Sequence, residues 1–331
     1  FGVRASSLAA ELRPNIVLLM GDDHGWEETG YSGHPHVKTP VLDEIAATGL
    51  RFDRFYAAHP SCSPTRASFL TGRHPNRMDT FAPGWSFRPE ELTLAHVMSK
   101  AGYRCGHFGK WHVGAVKKQS PVSPGAMGFH EWLSHDNFFE LNPSLSRNGG
   151  PPAVLAGESS QILVDEAIRF IDGARQSGQP FFTIIWFGSP HEPYSGLPVD
   201  LALYDHLPAK YSKPVRLTSN ETGGQVTRPQ GEVLRERYAE ITALDRAVGN
   251  LRKHLATQGL RDNTLLFAQL HQLAPSRAHR RRHPWSALDD RGASQARHAR
   301  PEQWRAQTGT LRPRGRPGGE DEPHRTATRP R

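Results

Sequence analysis

Seven side chains in this sequence have the chemistry of a site that binds an anion or a metal. In chain order they are Asp22, Asp23, Cys62, Arg66, Lys110, His112 and His191. Adjacent carboxylates offer the hard oxygen ligands that Ca²⁺ and Mg²⁺ prefer, although an isolated pair of aspartates is more often a turn or a helix cap. Lysine, arginine and histidine supply the positive charge and the hydrogen-bond donors that an anionic substrate requires.

Considered apart from any family motif, the cysteine could be either a reactive thiolate or an inert buried thiol. Cys62 begins the segment CSPTR, directly before a predicted helix, where backbone N–H groups and the helix dipole favour negative charge. A thiolate at that place would be nucleophilic, whereas a cysteine buried among apolar side chains is inert.

The elements that must position these residues alternate between strands and helices. Short apolar or β-branched runs predict strands at 15–20, 51–56, 104–108, 181–187 and 264–267. Amphipathic segments with proline at the start or glycine past the end predict helices at 40–48, 64–71, 94–101, 158–175 and 231–257. Such alternation indicates an α/β fold, in which helices cover both faces of a mostly parallel sheet.

The predicted sheet brings five of the seven residues to one edge. Asp22 and Asp23 follow the first predicted strand, Lys110 and His112 follow the third, and His191 follows the fourth. Active sites in parallel sheets gather at the carboxyl ends of the strands, so these side chains are expected to meet there. The segment 119–152, rich in Pro, Gly and Ser, is predicted to form loops over that edge and to contact substrate.

These motifs, in this order, resemble the sulfatases, and in particular the arylsulfatases and N-acetylgalactosamine-6-sulfatases. The resemblance rests on CSPTR at 62–66, GKWH at 109–112 and PHEP at 190–193, and it extends from about residue 13 to 267. It implies an alkaline-phosphatase-like catalytic domain over 13–267 and a sulfuric ester hydrolase activity. The substrate classes that it implies are aryl or carbohydrate sulfates.

The resemblance also implies a role for each candidate residue. Cys62 is expected to be oxidised to formylglycine by a formylglycine-generating enzyme, and the hydrate of that aldehyde to act as the nucleophile. Asp22, Asp23 and the modified Cys62 would bind Ca²⁺, with Mg²⁺ as the alternative. Arg66 would hold the hydrate, and the remaining candidates would act on the sulfate or on the formylglycine. There Lys110 neutralises charge, His112 polarises the formylglycine, and His191 contacts the sulfate or protonates the leaving oxygen.

The end of the chain has a different composition. Residues 275–331 contain 14 Arg and no Lys against six acidic residues, so this segment alone accounts for the net charge of +8. Residues 268–331 are therefore expected to be a disordered Arg- and Pro-rich tail. Out-of-frame translation is one explanation of this tail, and a natural polyanion-binding tail is the other. A nucleic-acid function ranks last, because no aromatic residues alternate with the charges.

The family pattern includes a further Asp and Asn as metal ligands, which are not recognisable after residue 267. The expectation is a chain that is truncated or frameshifted, has an incomplete sheet at its C-terminal side, and is impaired in activity. Two other functions stay open. One is hydrolysis of a phosphonate or phosphodiester, and the other is non-catalytic binding of sulfated glycans.

The N-terminal segment and the composition are relevant to where the protein resides in or outside the cell. Residues 1–12 are expected to be a remnant or linker, either the end of a removed signal peptide or a fragment boundary. By family resemblance the protein is expected to be periplasmic or secreted. No apolar run is long enough to predict a membrane span.

Overall fold

The computed structural model describes residues 13–218 and 224–270, so the predicted segment 1–12 lies outside the described residues. The predicted tail 268–331 also lies outside them from residue 271 onward, whereas residues 268–270 continue the strand predicted at 264–267. The strands are β1 (Asn15–Gly21), β2 (Arg104–Lys110), β3 (Glu131–His135), β4 (Ser144–Arg147), β5 (Ala153–Val154), β6 (Phe181–Trp186), β7 (Pro214–Thr218), β8 (Gln225–Pro229) and β9 (Thr264–Leu270). The helices are α1 (Pro40–Thr48), α2 (Cys62–Thr71), α3 (Leu94–Lys100), α4 (Ser159–Gln176), α5 (Pro198–Leu201) and α6 (Gln230–Thr257).

Seven strands form one sheet in the order β5-β4-β3-β2-β6-β1-β9. The five strands from β3 to β9 in this order are parallel, and β4 and β5 are antiparallel to their neighbours. Strands β7 and β8 pair separately. The mostly parallel α/β fold predicted from the sequence is therefore confirmed.

The core lies on both faces of this sheet because β1 and β6 are buried on both sides. Val17 and Leu19 of β1 belong to the cluster that packs under α4 and α6. Met20, at the other face, packs with Ala67 of α2 and Ala95 of α3. Burial on both faces is why these strands read as continuous apolar runs rather than alternating ones.

Two predictions about secondary structure were wrong. Residues 51–56 form no strand, because no strand among the described residues pairs with them; Phe52 and Phe55 instead pack their rings against Phe267 of β9. The segment 119–152 contains β3 and β4 in addition to loops, because Leu133 and Leu145 are buried in the core. Consequently Lys110 ends the second strand of the chain rather than following the third.

A buried carboxylate on α6 caps the start of α1. Asp245 Oδ1 accepts the N–H of Leu42 at 2.8 Å, and its Oδ2 accepts the N–H of Val41 at 3.1 Å. The first N–H groups of a helix have no partner within the helix, so this long-range cap stabilises α1. Burial raises the pKa of Asp245 to about 6, although the two N–H groups oppose that shift.

Asp245 therefore predicts a pH dependence of stability. Because the folded pKa lies above the ordinary value of 3.8, the folded state holds the proton more tightly between these values. The contribution of Asp245 to the free energy of unfolding is then fully present below pH 4 and falls by about 2 kcal/mol as the pH rises through 6. Denaturant titrations of the wild type and Asp245→Asn at pH 4 to 7 should diverge in this way; parallel curves would contradict the prediction.

Candidate active site

The carboxyl ends of β1, β2 and β6 meet, and the start of α2 lies over them. Asp22 follows β1 directly, Lys110 is the last residue of β2, and Cys62 is the first residue of α2. One ligand atom each from Asp22, Cys62 and His191 lies within 4.8 Å of the others. The sheet thus brings together residues that are far apart in the sequence.

A buried cluster of three charges forms the floor of the site. Lys110 Nζ donates a hydrogen bond to Asp22 Oδ2, and Arg66 Nη2 lies 3.0 Å from Asp22 Oδ1. All three side chains are at most 1% exposed. Burial alone would raise the pKa of Asp22, but the charges of Lys110 and Arg66 outweigh it and hold that pKa well below its usual range. Asp22 is therefore ionised, and the cluster carries one net positive charge.

Further contacts fix the two cations of this cluster. Arg66 Nη1 donates to the carbonyl oxygen of Lys110 at 3.0 Å, and its guanidinium lies 4.8 Å from the ring centroid of Trp186. Lys110 Nζ lies 3.5 Å from Cys62 Sγ and 3.9 Å from the ring centroid of Phe138. The ammonium therefore contacts a carboxylate, a thiol and an aromatic face.

Cys62 is a free, buried thiol, as is Cys105. Burial, with help from the charge of Asp22, raises the pKa of Cys62 to about 11, although Lys110 and Arg66 act in the opposite direction. The thiol is therefore protonated at neutral pH. Although Cys62 begins a helix, the expectation of a reactive thiolate there does not hold for the unmodified residue.

His191 faces the second aspartate. Its Nε2 lies 3.3 Å from Asp23 Oδ2, and its Nδ1 lies 2.6 Å from the carbonyl oxygen of Glu192, to which it donates. The His191 ring stacks on Phe138 with centroids 3.9 Å apart. Burial lowers the pKa of His191, and the charge of Asp22 opposes that shift. The hydrogen bond to Glu192 leaves Nε2 as the nitrogen that faces the site.

His112 is buried, and its Nδ1 has no hydrogen-bond partner among the described residues. Burial, reinforced by the charges of Lys110 and Arg66, lowers the pKa of His112 to about 3, so the imidazole is neutral. His112 has a φ of +55° and Asp23 a φ of +54°. Such left-handed conformations cost non-glycine residues energy and cluster at functional sites.

The carboxylates fit a hard divalent cation. Asp22 Oδ1 is buried, and Arg66 approaches it without the alignment of a hydrogen bond, so this oxygen has no hydrogen-bond partner in the described part of the chain. Asp23 presents a second carboxylate whose side chain is 31% exposed. A thiol is a poor ligand for Ca²⁺ or Mg²⁺, whereas an oxygen at the position of Cys62 would suit either ion.

Two residues at this site escaped the sequence analysis. Phe138 lies in the segment predicted as loops, and only that general prediction pointed to it. Arg237 lies within α6 and hydrogen-bonds the carbonyl oxygens of Asp23 and Pro190, so it contacts two loops of the site. No sequence signal distinguishes Arg237 from the solvent-facing charges around it.

Comparison with protein-family models decides which family this chain belongs to. The Sulfatase family model matches residues 14–269. The chain belongs to the sulfatase family. The family resemblance predicted from the motifs is thereby confirmed.

Named relatives agree with this family assignment. The chain is 30% identical over 261 residues to the ulvan-active sulfatase of Formosa agariphila, covering 77% of this chain and 49% of that protein. It is 32% identical over 296 residues to arylsulfatase A of Bos taurus, covering 80% of this chain and 52% of that protein. The chain therefore spans about half the length of these relatives.

A solved structure supports the fold. The structure of BT4656 in complex with its substrate D-glucosamine-2-N,6-O-disulfate matches with a TM-score of 0.64 and 22% identity, over 78% of this chain and 65% of that one. This likeness confirms the predicted alkaline-phosphatase-like sulfatase fold for the described region. In that region no helix is both long and apolar enough to cross a membrane.

Proposed function

We propose that this chain carries a sulfate-ester-hydrolysing centre in which formylglycine at position 62 and a divalent cation act together. The observation that supports this most directly is the convergence of Asp22, Cys62 and His191 within 4.8 Å, next to the buried cations Lys110 and Arg66. A net positive, desolvated site of this kind stabilises a transferring sulfuryl group, whose oxygens carry negative charge.

Each residue has a role that follows from its position. Asp22 and Asp23 would hold Ca²⁺, or alternatively Mg²⁺, together with an oxygen of the modified Cys62. When bound, the cation would supply electrostatic stabilisation to the negative charge that develops on the reacting oxygens. Lys110 already contacts the sulfur atom of Cys62, so its ammonium is placed to neutralise a sulfate oxygen there, and Arg66 is placed to hold the hydrate.

The two histidines complete the proton chemistry. His112 is neutral, so it can donate one hydrogen bond to the hydrate or to a sulfate oxygen without adding charge. His191 presents Nε2 to the site and is proposed to protonate the leaving oxygen of the ester. A bound sulfate would raise the proton affinity of Nε2, because opposite charges stabilise each other in a desolvated site.

The modification must precede folding. Cys62 is 5% exposed, Arg66 is 1% exposed, and Pro64 between them is also buried. A formylglycine-generating enzyme therefore reaches this segment only in the unfolded chain. We propose a sulfated glycan or an aryl sulfate as the substrate, in line with the relatives named above, and a periplasmic or secreted location.

Turnover is expected to be slow. Ca²⁺ takes six to eight oxygen ligands, whereas the oxygen ligands proposed here in the described part of the chain are the carboxylates of Asp22 and Asp23 and an oxygen of the modified Cys62. The affinity for the cation should therefore be weak, and activity should rise with added Ca²⁺ into the millimolar range typical of weak sites.

The test is hydrolysis of 4-nitrophenyl sulfate by chain that has been co-produced with a formylglycine-generating enzyme. We expect slow turnover that requires Ca²⁺ and the peptide mass of formylglycine at position 62. Cys62→Ala should abolish this turnover, whereas Cys105→Ala, the matched control, should keep it. Sulfate hydrolysis that survives Cys62→Ala, or faster hydrolysis of 4-nitrophenyl phosphate, would overturn the proposal.

A further inference from the structure

One arginine side chain ties together the two loops that carry Asp23 and His191. Arg237 Nη2 donates to the carbonyl oxygen of Asp23 at 2.6 Å, and its Nη1 donates to the carbonyl oxygen of Pro190 at 2.7 Å. The first loop follows β1 and the second follows β6. Arg237 itself comes from α6, and its side chain is 15% exposed.

Two more donors of this guanidinium engage a carboxylate in the first loop, and Nη1 also lies 3.4 Å from the hydroxyl oxygen of Tyr194 in the second. Arg237 Nε lies 2.6 Å from Glu28 Oε1, and Nη2 lies 2.6 Å from Glu28 Oε2. Glu28 in turn closes its own loop, because its Oε2 accepts the N–H of Gly25 at 2.9 Å and its carbonyl oxygen lies 2.9 Å from His24 Nε2. The arginine thus holds the loop at two points.

These contacts fix the direction in which the site residues face. Asp23 has a left-handed backbone conformation with a φ of +54°, which aspartate tolerates better than most residues but at some cost in energy. The N–H of Asp22 donates to the carbonyl oxygen of Ser189 at 3.0 Å, so the two loops also touch directly. A shift of the Asp23 carbonyl would therefore move the backbone that carries both aspartates relative to the His191 loop.

Arg237 acts on the site by holding two loops in place rather than through a long-range electric field. Its positive charge and the negative charge of Glu28 compensate each other, so the pair adds no net charge to the site. Arg237 instead supplies a planar set of donors that reaches two carbonyl oxygens and the carboxylate of Glu28 at once. An ammonium cannot reproduce that arrangement.

We propose that Arg237 is a positioning residue, which holds the Asp23 loop and the His191 loop in register so that their side chains meet at the cation site. This inference deepens the proposed function and rests on it for the cation alone; the effect on the loops is independent of it. Partners that orient metal ligands in this way typically contribute about 10- to 100-fold to metal affinity.

The test compares Arg237→Ala and Arg237→Lys with Arg246→Ala in the full chain. Arg246 is a matched control on the same helix, because it makes a bidentate ion pair with Asp200 at 2.5 and 2.9 Å and contacts neither loop. Hydrogen–deuterium exchange would follow peptides that cover residues 22–28 and 187–194. Calorimetric titration with Ca²⁺ alone would follow the affinity, with and without added guanidinium.

We expect both Arg237 variants to exchange faster in both loops and to bind Ca²⁺ at least about tenfold more weakly. Guanidinium should restore part of the affinity of Arg237→Ala but not that of Arg237→Lys, whose side chain still fills the position. Wild-type exchange in both loops of the Arg237 variants, or an equal change in Arg246→Ala, would overturn the inference. A wild type that binds no Ca²⁺ would refute the proposed cation site, and the exchange data would still decide the role of Arg237.

Discussion

Replacing Asp22 with alanine is expected to destabilise the protein by about 3–5 kcal/mol, because it leaves two buried cations without their counter-ion. Lys110 and Arg66 both pair with this one carboxylate, and none of the three side chains is more than 1% exposed. Water cannot solvate the charges that remain. The penalty therefore comes from stranded charge rather than from the lost strength of an ion pair.

The experiment is denaturant unfolding in the presence of a chelator, so that no bound cation contributes. Asp205→Ala is the matched control, because Asp205 pairs with Arg235 2.6 Å away at the surface, where both side chains are more than a third exposed. Such exposed pairs contribute about 0–1 kcal/mol. An Asp22→Ala cost no larger than that of Asp205→Ala would contradict the prediction.

A second substitution separates stranded charge from lost packing. Replacing Lys110 with methionine in the Asp22→Ala background removes one of the two uncompensated cations while keeping an apolar stem of similar length. The double variant should therefore be more stable than Asp22→Ala alone. If it is equally unstable, the cost arises from packing at Asp22 instead.

The sequence predicted the strands that are buried on both faces and the residues that follow them. Runs such as FFTIIW in β6 are typical of interior strands, and neighbouring parallel strands end at one edge, so the meeting of Asp22, Lys110 and His191 was foreseeable. The fold class follows from the same alternation of strands and helices. A local sequence pattern is sufficient to predict the position of a residue wherever its environment is set by the strand or helix to which it belongs.

Local pattern fails where the environment comes from a distant part of the chain. Arg237 lies in the charged run RERYAE, which is typical of a solvated helix face, and the carboxylate that compensates its buried charge comes from Glu28, 209 residues away. Phe138 gains its role from Lys110 and His191, which approach it through space. The pKa of Cys62 likewise depends on burial and on Asp22, neither of which the helix start alone reveals.

His191→Gln is expected to slow hydrolysis of a sugar sulfate by about 10²- to 10⁴-fold, the usual contribution of a general acid. The same change should affect 4-nitrophenyl sulfate much less, because nitrophenolate leaves without a proton. His191 is assigned this role because Nδ1 is committed to the carbonyl oxygen of Glu192 and Nε2 faces the site. Single-turnover rates on the two substrates would measure the difference.

His112→Gln provides the contrast that makes this assignment decisive. His112 is proposed to act on the hydrate and the sulfate oxygens, which both substrates share, so its replacement should slow both reactions by similar factors. A general acid instead acts on the leaving oxygen, where the two substrates differ. If His191→Gln also slowed both reactions equally, His191 would act on the sulfate, and the proton for the leaving oxygen would have to come from another group.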